Sequence, residues 1–176
     1  FRSSWLAATP AGLCVAVRCE ESRSNHGKRQ AKRHDGPVHR DESIELFLDP
    51  SREGRAYYQL AVSVHGAALD RSSQLGLRWN PAWKHAVQMG KTDEGVSYYD
   101  VEALIPYAAL GLSQPPQPGA AWAFNLTRND YRETGRGRRP SCEIVQWAQT
   151  YGSNARSGLY GVIRFISQKR GQTAGE

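Results

Sequence analysis

Short segments in which apolar and polar residues alternate constrain the fold of this chain most strongly. The segment 41–50 shows the pattern best, because apolar side chains occupy every second position: Ile44, Leu46 and Leu48. A period of two predicts a β-strand with one buried face. Pro50 ends the segment, since proline has no N–H to donate to a neighbouring strand. Phe47 is expected on the outer face beside Glu45, where an aromatic ring and a carboxylate together suit a contact surface.

Five further segments show the same alternation and are separated by turn residues: 13–17, 57–64, 99–104, 122–127 and 159–165. Only the segment 108–111 indicates a helical turn, and longer helical periodicity is absent from the sequence. Many short strands without intervening helices favour antiparallel sheets over a parallel fold. We therefore predict an all-β domain, an antiparallel β-sandwich of the jelly-roll or immunoglobulin-like kind with long loops.

The formal net charge of +6 is concentrated in two segments that read as loops. The segment 23–40 contributes +5, from six Lys or Arg residues and one Asp, and the segment 128–139 contributes +3. This distribution indicates solvated loops, and we expect no nucleic-acid partner. The alternative is a polyanion-binding patch that the two segments form together.

The sequence carries none of the common catalytic motifs. It lacks the zincin His-Glu-x-x-His, the Gly-x-Ser-x-Gly elbow, a phosphate-binding Walker loop and paired-cysteine zinc spacing. We therefore predict that this segment is not an enzyme, and that any catalysis comes from another domain of its parent chain. No apolar run approaches the roughly 18 residues of a membrane-spanning helix, so no membrane span is expected.

Aromatic residues are numerous, with five tryptophans and eight tyrosines. Trp122 lies in phase with the apolar positions of its segment and is expected in the core. Trp79 and Trp83 flank a loop, where they could form an apolar patch. Aromatic faces beside carboxylates and amides are how proteins bind sugars, because the ring covers C–H groups while polar groups bond the hydroxyls. The alternative is that each tryptophan is structural.

An ordered set of segments resembles the family 9 carbohydrate-binding modules. They are Gly12-Leu13, the segment 41–50, Tyr58-Gln59-Leu60-Ala61-Val62, Val101-Glu102-Ala103-Leu104-Ile105-Pro106, Ala109-Leu110-Gly111, Trp122-Ala123-Phe124-Asn125, Trp147 and Leu159-Tyr160-Gly161-Val162. The resemblance implies a β-sandwich over residues 1–166, with the family's first strand expected ahead of Phe1. Residues 167–176 are expected to form a polar tail.

The resemblance also implies a saccharide site, in which members of the family hold a sugar ring between two tryptophans. His39 occupies the place of the first tryptophan, and Tyr151 is the aromatic residue in the region of the second. Glu45, Gln59 and Thr127 fall at polar binding positions of the family. Only Glu45 is the same residue type that the family has at its position. A structural calcium is implied as well, with the candidate ligands Asp35 and Asp41, although the surrounding Lys and Arg residues oppose a dication.

The function that the resemblance implies is non-catalytic binding of a saccharide or polysaccharide. Such a module is expected within a larger carbohydrate-active or cell-surface protein, in an extracellular or periplasmic location, with a neighbouring domain as a second partner. One alternative is a structural or interaction domain of a larger enzyme, with the sugar site lost and Trp79 and Trp83 docked on its neighbour. Another is a haem-binding sandwich, for which Met89 is the single methionine.

Overall fold

Two antiparallel β-sheets pack face to face in the computed structural model, which describes residues 2–21, 30–132 and 141–167. The first sheet has four strands, in the spatial order β1 (Ser3–Thr9), β2 (Gly12–Glu21), β7 (Ser97–Ile105) and β6 (Lys84–Lys91). The second has six: β10 (Gly161–Arg164), β8 (Ala121–Arg132), β3 (Ser43–Asp49), β4 (Tyr58–Ser63) and β5 (Ala68–Ser72), with β9 (Ser141–Gln146) also paired to β8. The predicted antiparallel β-sandwich is confirmed.

Helical structure in the described residues is limited to three short 3₁₀ turns: Val38–Arg40, Tyr107–Leu110 and Ser157–Leu159. The second of these confirms the helical turn predicted near residue 110. It ends at Gly111, whose φ of 74° lies in the left-handed region that glycine adopts without steric cost. None of these turns has the length or the apolar character of a helix that crosses a membrane.

The apolar positions of the alternating segments form one core between the two sheets. Leu13, Val15 and Val17 of β2 pack with the inward residues of β3, β4, β7 and β8. Trp122 is 4% exposed and makes edge-to-face contacts with Tyr107 and Phe165, which confirms it as a core residue.

Trp79 and Trp83 do not form the free apolar patch that the sequence suggested. Both are half-buried and pack against the core. The indole N–H of Trp79 donates to the carbonyl of Ala109 at 3.2 Å, and that of Trp83 donates to Oδ1 of Asp70 at 3.0 Å. Both tryptophans therefore pack mainly within this domain, and only part of each side chain remains at the surface.

Four strands were not predicted from the sequence: β1, β5, β6 and β9. Three of them lie at sheet edges. β1 and β6 are mostly exposed, so strict alternation is not required there, whereas β5 is mostly buried but includes the polar residues Asp70 and Ser72 among its buried positions. In β1, all five central residues are exposed, so its sequence carries no buried face to detect.

Phe47 corrects the prediction of an aromatic contact residue on the outer face of β3. Its side chain does point to that face, but it is only 1% exposed. Tyr57 and Tyr160 pack over it, with ring centroids 6.0 Å and 5.8 Å from that of Phe47. Every residue of β3 is buried, so both faces of this strand are covered and not one alone.

A buried ionic clamp joins the two sheets beside the start of β3. The Oε1 atom of Glu42 accepts hydrogen bonds from Arg128 Nε at 2.7 Å and from the Tyr99 hydroxyl at 2.7 Å. Its Oε2 atom accepts the backbone N–H of Tyr131 at 3.0 Å, and Arg128 Nη1 donates to the carbonyl of Glu20 at 3.0 Å. Burial raises the pKa of Glu42, whereas the guanidinium beside it acts in the opposite direction.

For residues 128–132, the described part of the segment 128–139, the structure corrects the prediction of a solvated basic loop. Strand β8 continues to Arg132, and Arg128 is 6% exposed in its ion pair. The proposed polyanion patch rests mainly on residues 23–29 and 133–139, which lie outside the described residues.

Candidate functional site

Polar side chains line up across three strands on the outer face of the six-stranded sheet, β3, β8 and β9. The register aligns Glu45 of β3 with Ala61 of β4 on one side and with Thr127 of β8 on the other. Thr127 is aligned in turn with Gln146 of β9. Side chains at directly paired positions lie about 5 Å apart at Cβ, so Glu45, Thr127 and Gln146 form a continuous polar row. We call the outer face around this row the Glu45 face.

Glu45 is 3% exposed, and its carboxylate is held by two neutral amides. Asn129 Nδ2 donates to Oε1 at 2.6 Å, and Gln59 Nε2 donates to Oε2. Asn129 also donates to Ser43 Oγ at 3.0 Å, which fixes its orientation. Hydrogen bonds to an ionised acceptor are stronger than those between neutral groups, so the carboxylate holds both amides in place.

Three of the five predicted site residues meet on the Glu45 face: Glu45, Gln59 and Thr127. Gln59 is half-buried, so it is partly exposed to solvent. Thr127 is completely buried, and its hydroxyl has no hydrogen-bond partner among the described residues. The structure brings these three residues together, and it places Glu45 and Thr127 beneath the surface.

His39 is exposed at one end of the Glu45 face. It belongs to the 3₁₀ turn Val38–Arg40, just before β3, and its carbonyl accepts the Tyr131 hydroxyl at 3.1 Å. Tyr131 follows Asn129 on the same face of β8. Burial raises the pKa of Tyr131 to about 12, with a smaller contribution from the neighbouring Cys142. The hydroxyl of Tyr131 therefore keeps its proton at neutral pH.

Tyr151 is 76% exposed and lies on the loop after β9. Its φ of 49° is left-handed, and Arg156 Nη1 donates to its carbonyl at 3.1 Å. The ring therefore faces solvent while the backbone beneath it is held. The structure thus brings neither His39 nor Tyr151 into hydrogen-bond contact with Glu45; both belong to segments that border the Glu45 face.

Gln146 ties this loop to the Glu45 face. Its Nε2 atom donates to Thr150 Oγ1 at 2.9 Å and to Asn154 Oδ1 at 2.8 Å, and its Oε1 atom accepts the Thr150 N–H at 3.2 Å. Asn125 lies on the same face of β8. Its Oδ1 atom accepts the N–H of Ala148 at 2.9 Å, and its Nδ2 atom donates to the carbonyl of Ala148 at 2.9 Å. Two amide side chains therefore determine where the loop begins and how Tyr151 is presented.

Aromatic side chains lie beside the polar row, two residues further along β3 and β4. Gln59 pairs with Phe47 across β4 and β3, and Phe47 is covered by Tyr57 and Tyr160. Burial raises the pKa of Tyr160, whose hydroxyl donates to the carbonyl of Asn154 at 2.8 Å. The Glu45 face therefore combines a carboxylate, several amides and tyrosine rings.

Sequence reasoning missed Asn129, Tyr131, Gln146 and Asn154. The sequence does contain a signal for Asn129 and Tyr131, because they continue the two-residue spacing of Asn125 and Thr127 along one face of the strand. The predicted strand ended at residue 127, whereas β8 continues to Arg132. Gln146 lies on β9, which was not predicted, and its role depends on a turn that alternation does not encode.

The two calcium candidates, Asp35 and Asp41, serve separate roles. Both carboxylate oxygens of Asp41 accept backbone N–H groups, that of Gln30 at 2.6 Å and that of Ala31 at 3.0 Å. Asp35 instead lies beside His34 and Asp70. Met89, the candidate haem ligand, is half-exposed on the edge strand β6.

Comparison with known proteins finds similarity at the level of structure. No protein-family model matches the sequence, and no curated protein is significantly similar to it. A protein of Bacteroides uniformis, provisionally assigned as carbohydrate-binding, has a TM-score of 0.68 and 17% identity over 92% of this chain and 77% of its own. A family 9 carbohydrate-binding module of Caldicellulosiruptor kristjanssonii, solved with glucose, has a TM-score of 0.65 and 17% identity over 97% of this chain and 78% of its own. The chain therefore shares its fold with a family 9 carbohydrate-binding module, as the resemblance predicted.

Proposed function

We propose that this chain is a non-catalytic carbohydrate-binding module that takes a saccharide on the Glu45 face. The observation that carries the proposal is the Glu45 carboxylate, which is held by the amides of Gln59 and Asn129 on the outer face of the sheet. The fold is shared with a module that was solved with glucose, which supports this ligand class and makes glucose the first probe.

The chemistry of the Glu45 face suits hydroxyl groups better than ions or apolar ligands. Each amide offers two N–H donors and a carbonyl acceptor, whereas a sugar hydroxyl both donates and accepts. Gln59 and Gln146 are half-buried and lie on opposite sides of the buried pair Glu45 and Thr127. In the proposed complex Gln59 bonds the sugar hydroxyls and Glu45 fixes it from below. Gln146 donates both of its N–H groups to Thr150 and Asn154, so it holds the loop that carries Tyr151.

The two bordering aromatic residues complete the proposed site. An exposed ring can cover the C–H face of a pyranose by apolar contact. Tyr151 is exposed enough for this role, and His39 lies beside Tyr131 at the other border. We further propose that the module belongs to a larger carbohydrate-active or cell-surface protein, in an extracellular or periplasmic location.

The function is tested by screening the purified chain for saccharide binding. We expect saturable binding on a glycan array and retardation in an affinity gel containing the matching polysaccharide, with free glucose as a competitor. A chain that is folded by circular dichroism but binds no saccharide would contradict the proposal. It would favour the second candidate, a structural or interaction domain, which the burial of Glu45 and Thr127 also fits.

Replacing Tyr151 with asparagine is expected to weaken saccharide binding about 3- to 10-fold, the size of one aromatic contact. Asparagine tolerates the left-handed backbone at this position, so the loop is expected to keep its shape. Because the ring is largely in solvent, the free energy of unfolding should change by less than about 0.5 kcal/mol. Isothermal titration calorimetry and chemical denaturation measure the two quantities.

Trp5→Ala is the matched control for this variant. Trp5 is 57% exposed and lies on β1 of the opposite sheet, so its loss should leave saccharide affinity unchanged. Equal affinity in wild type and Tyr151→Asn would remove Tyr151 from the proposed site.

A further inference from the structure

A histidine and two aspartates converge at the edge of the six-stranded sheet, away from the polar row. His34 and Asp35 lie in the loop before the Val38–Arg40 turn, and Asp70 lies on β5. One donor atom from each residue lies within 4.8 Å of the other two. His34 Nε2 is 2.9 Å from Asp70 Oδ1 and 3.6 Å from Asp35 Oδ1. The three side chains therefore point towards a common centre.

The backbone around the cluster is fixed by hydrogen bonds between the loop and β5. The N–H of Asp35 donates to the carbonyl of Ala68 at 2.9 Å, and the N–H of Asp70 donates to Asp35 Oδ1 at 3.3 Å. Asp35 has a φ of 58°, in the left-handed region that aspartate and asparagine tolerate better than most residues. The loop thus presents its two side chains to Asp70 in a fixed arrangement.

Asp70 supplies an independent indication of a ligand. Its side chain is completely buried, and its Oδ1 atom accepts the indole N–H of Trp83 at 3.0 Å and faces His34. Its Oδ2 atom is also buried and has no hydrogen-bond partner among the described residues. A buried carboxylate oxygen without a donor destabilises the folded state, because it has lost its hydrogen bonds to water and no protein donor replaces them. A cation bound beside Oδ1 would compensate the buried charge of this carboxylate.

We propose that His34, Asp35 and Asp70 bind a divalent ion of the zinc class, with water completing the coordination. One imidazole nitrogen and two carboxylates form a mixed nitrogen and oxygen ligand set that suits Zn²⁺. Calcium prefers oxygen ligands alone, so the histidine selects against it. The two carboxylates balance the charge of the ion, and the half-exposed His34 leaves a path of entry from solvent.

Two neighbouring side chains act against the ion. Lys32 and Arg33 precede His34 in the same loop, but both are exposed, so water screens their charge. Asp70 carries its charge in a buried position, where it is screened much less. The balance therefore favours the cation at the centre of the cluster. Binding there would join the loop to β5.

The test is titration of the 176-residue chain with Zn²⁺, using protein without a histidine tag and after removal of metal by a chelator. We expect saturable binding of about one ion per chain and a higher midpoint of thermal unfolding in the presence of zinc. His34→Gln and Asp35→Asn should each weaken zinc binding at least about 10-fold. Both positions are partly exposed, and asparagine suits the left-handed backbone, so both variants are expected to fold.

Asp93→Asn is the control, because Asp93 is an exposed aspartate in the turn between β6 and β7. It should bind zinc like the wild type. Absence of saturable zinc binding would overturn the proposal. Equal affinity in the wild type and in both cluster variants would also overturn it, since the ion would then lie on other groups. A calcium affinity above that for zinc would contradict the assigned ion class.

Discussion

Arg128→Ala is expected to lower the free energy of unfolding by about 3–5 kcal/mol, the usual effect of removing one partner from a buried ion pair. The guanidinium donates to Glu42 at 2.7 Å and to the carbonyl of Glu20 at 3.0 Å, and both charged side chains are almost fully buried. Alanine would leave the Glu42 carboxylate in the core without its cation, while Tyr99 and the N–H of Tyr131 remain as its donors. Urea denaturation followed by circular dichroism measures the change.

Two further variants separate the lost charge from the lost volume. Arg164→Ala removes an exposed arginine from β10 and should change stability by less than about 0.5 kcal/mol. The double variant Arg128→Met with Glu42→Leu replaces the pair with apolar side chains and should recover much of the lost stability. If the double variant is as unstable as Arg128→Ala, the uncompensated charge is not the cause of the loss.

Glu45→Gln is expected to weaken saccharide binding about 10-fold or more, because a hydrogen bond to a charged group contributes about 1.5–3 kcal/mol. The carboxylate accepts from both Gln59 and Asn129, whereas a glutamine amide presents one carbonyl and one donor group to the same two donors. One amide therefore loses its acceptor and no longer holds its orientation. Isothermal titration calorimetry with the best saccharide from the screen measures the loss.

The control for Glu45→Gln is Glu102→Gln, because Glu102 is an exposed carboxylate on β7 of the opposite sheet. It should bind saccharide like the wild type. Circular dichroism must show that Glu45→Gln is folded, since the substitution also disturbs buried hydrogen bonds. A folded Glu45→Gln protein with unchanged affinity would remove the carboxylate from the proposed site.

The sandwich could be predicted from the sequence because its central strands are buried on the face that the alternation marks. Ile44, Leu46 and Leu48 all enter the core, as do the inward residues of β2, β4, β7 and β8. The strands that were missed lie at the edges of the sheets, except for β9, which pairs with the second half of β8. β1 and β6 expose most of their residues, and β5 buries the polar side chains of Asp70 and Ser72, so none of the three buries a regular row of apolar side chains.

The candidate site could be predicted only in part. Alternation along β3 predicts that Glu45 faces outward, and the resemblance supplied Gln59 and Thr127. The alternation predicted a strand that ends at residue 127, so it missed Asn129, the amide on the continuation of β8 that holds the carboxylate. The burial of Glu45 depends on contacts between strands distant in sequence, which no local pattern contains.

The proposed zinc cluster shows the same limit of local patterns. Its residues come from a loop and from β5, and the sequence contains no closely spaced pair of histidines that would indicate a ligand set. Only the fold brings Asp70 to His34.

An NMR titration of the chain with glucose, or with the best saccharide from the screen, decides whether the Glu45 face binds a sugar. We expect saturable shifts of the side-chain amides of Gln59 and Gln146 and of the Tyr151 backbone amide. Signals from β6 and β7 in the four-stranded sheet should not move. Shifts confined to the four-stranded sheet, or no shifts at saturating saccharide, would contradict binding on the Glu45 face.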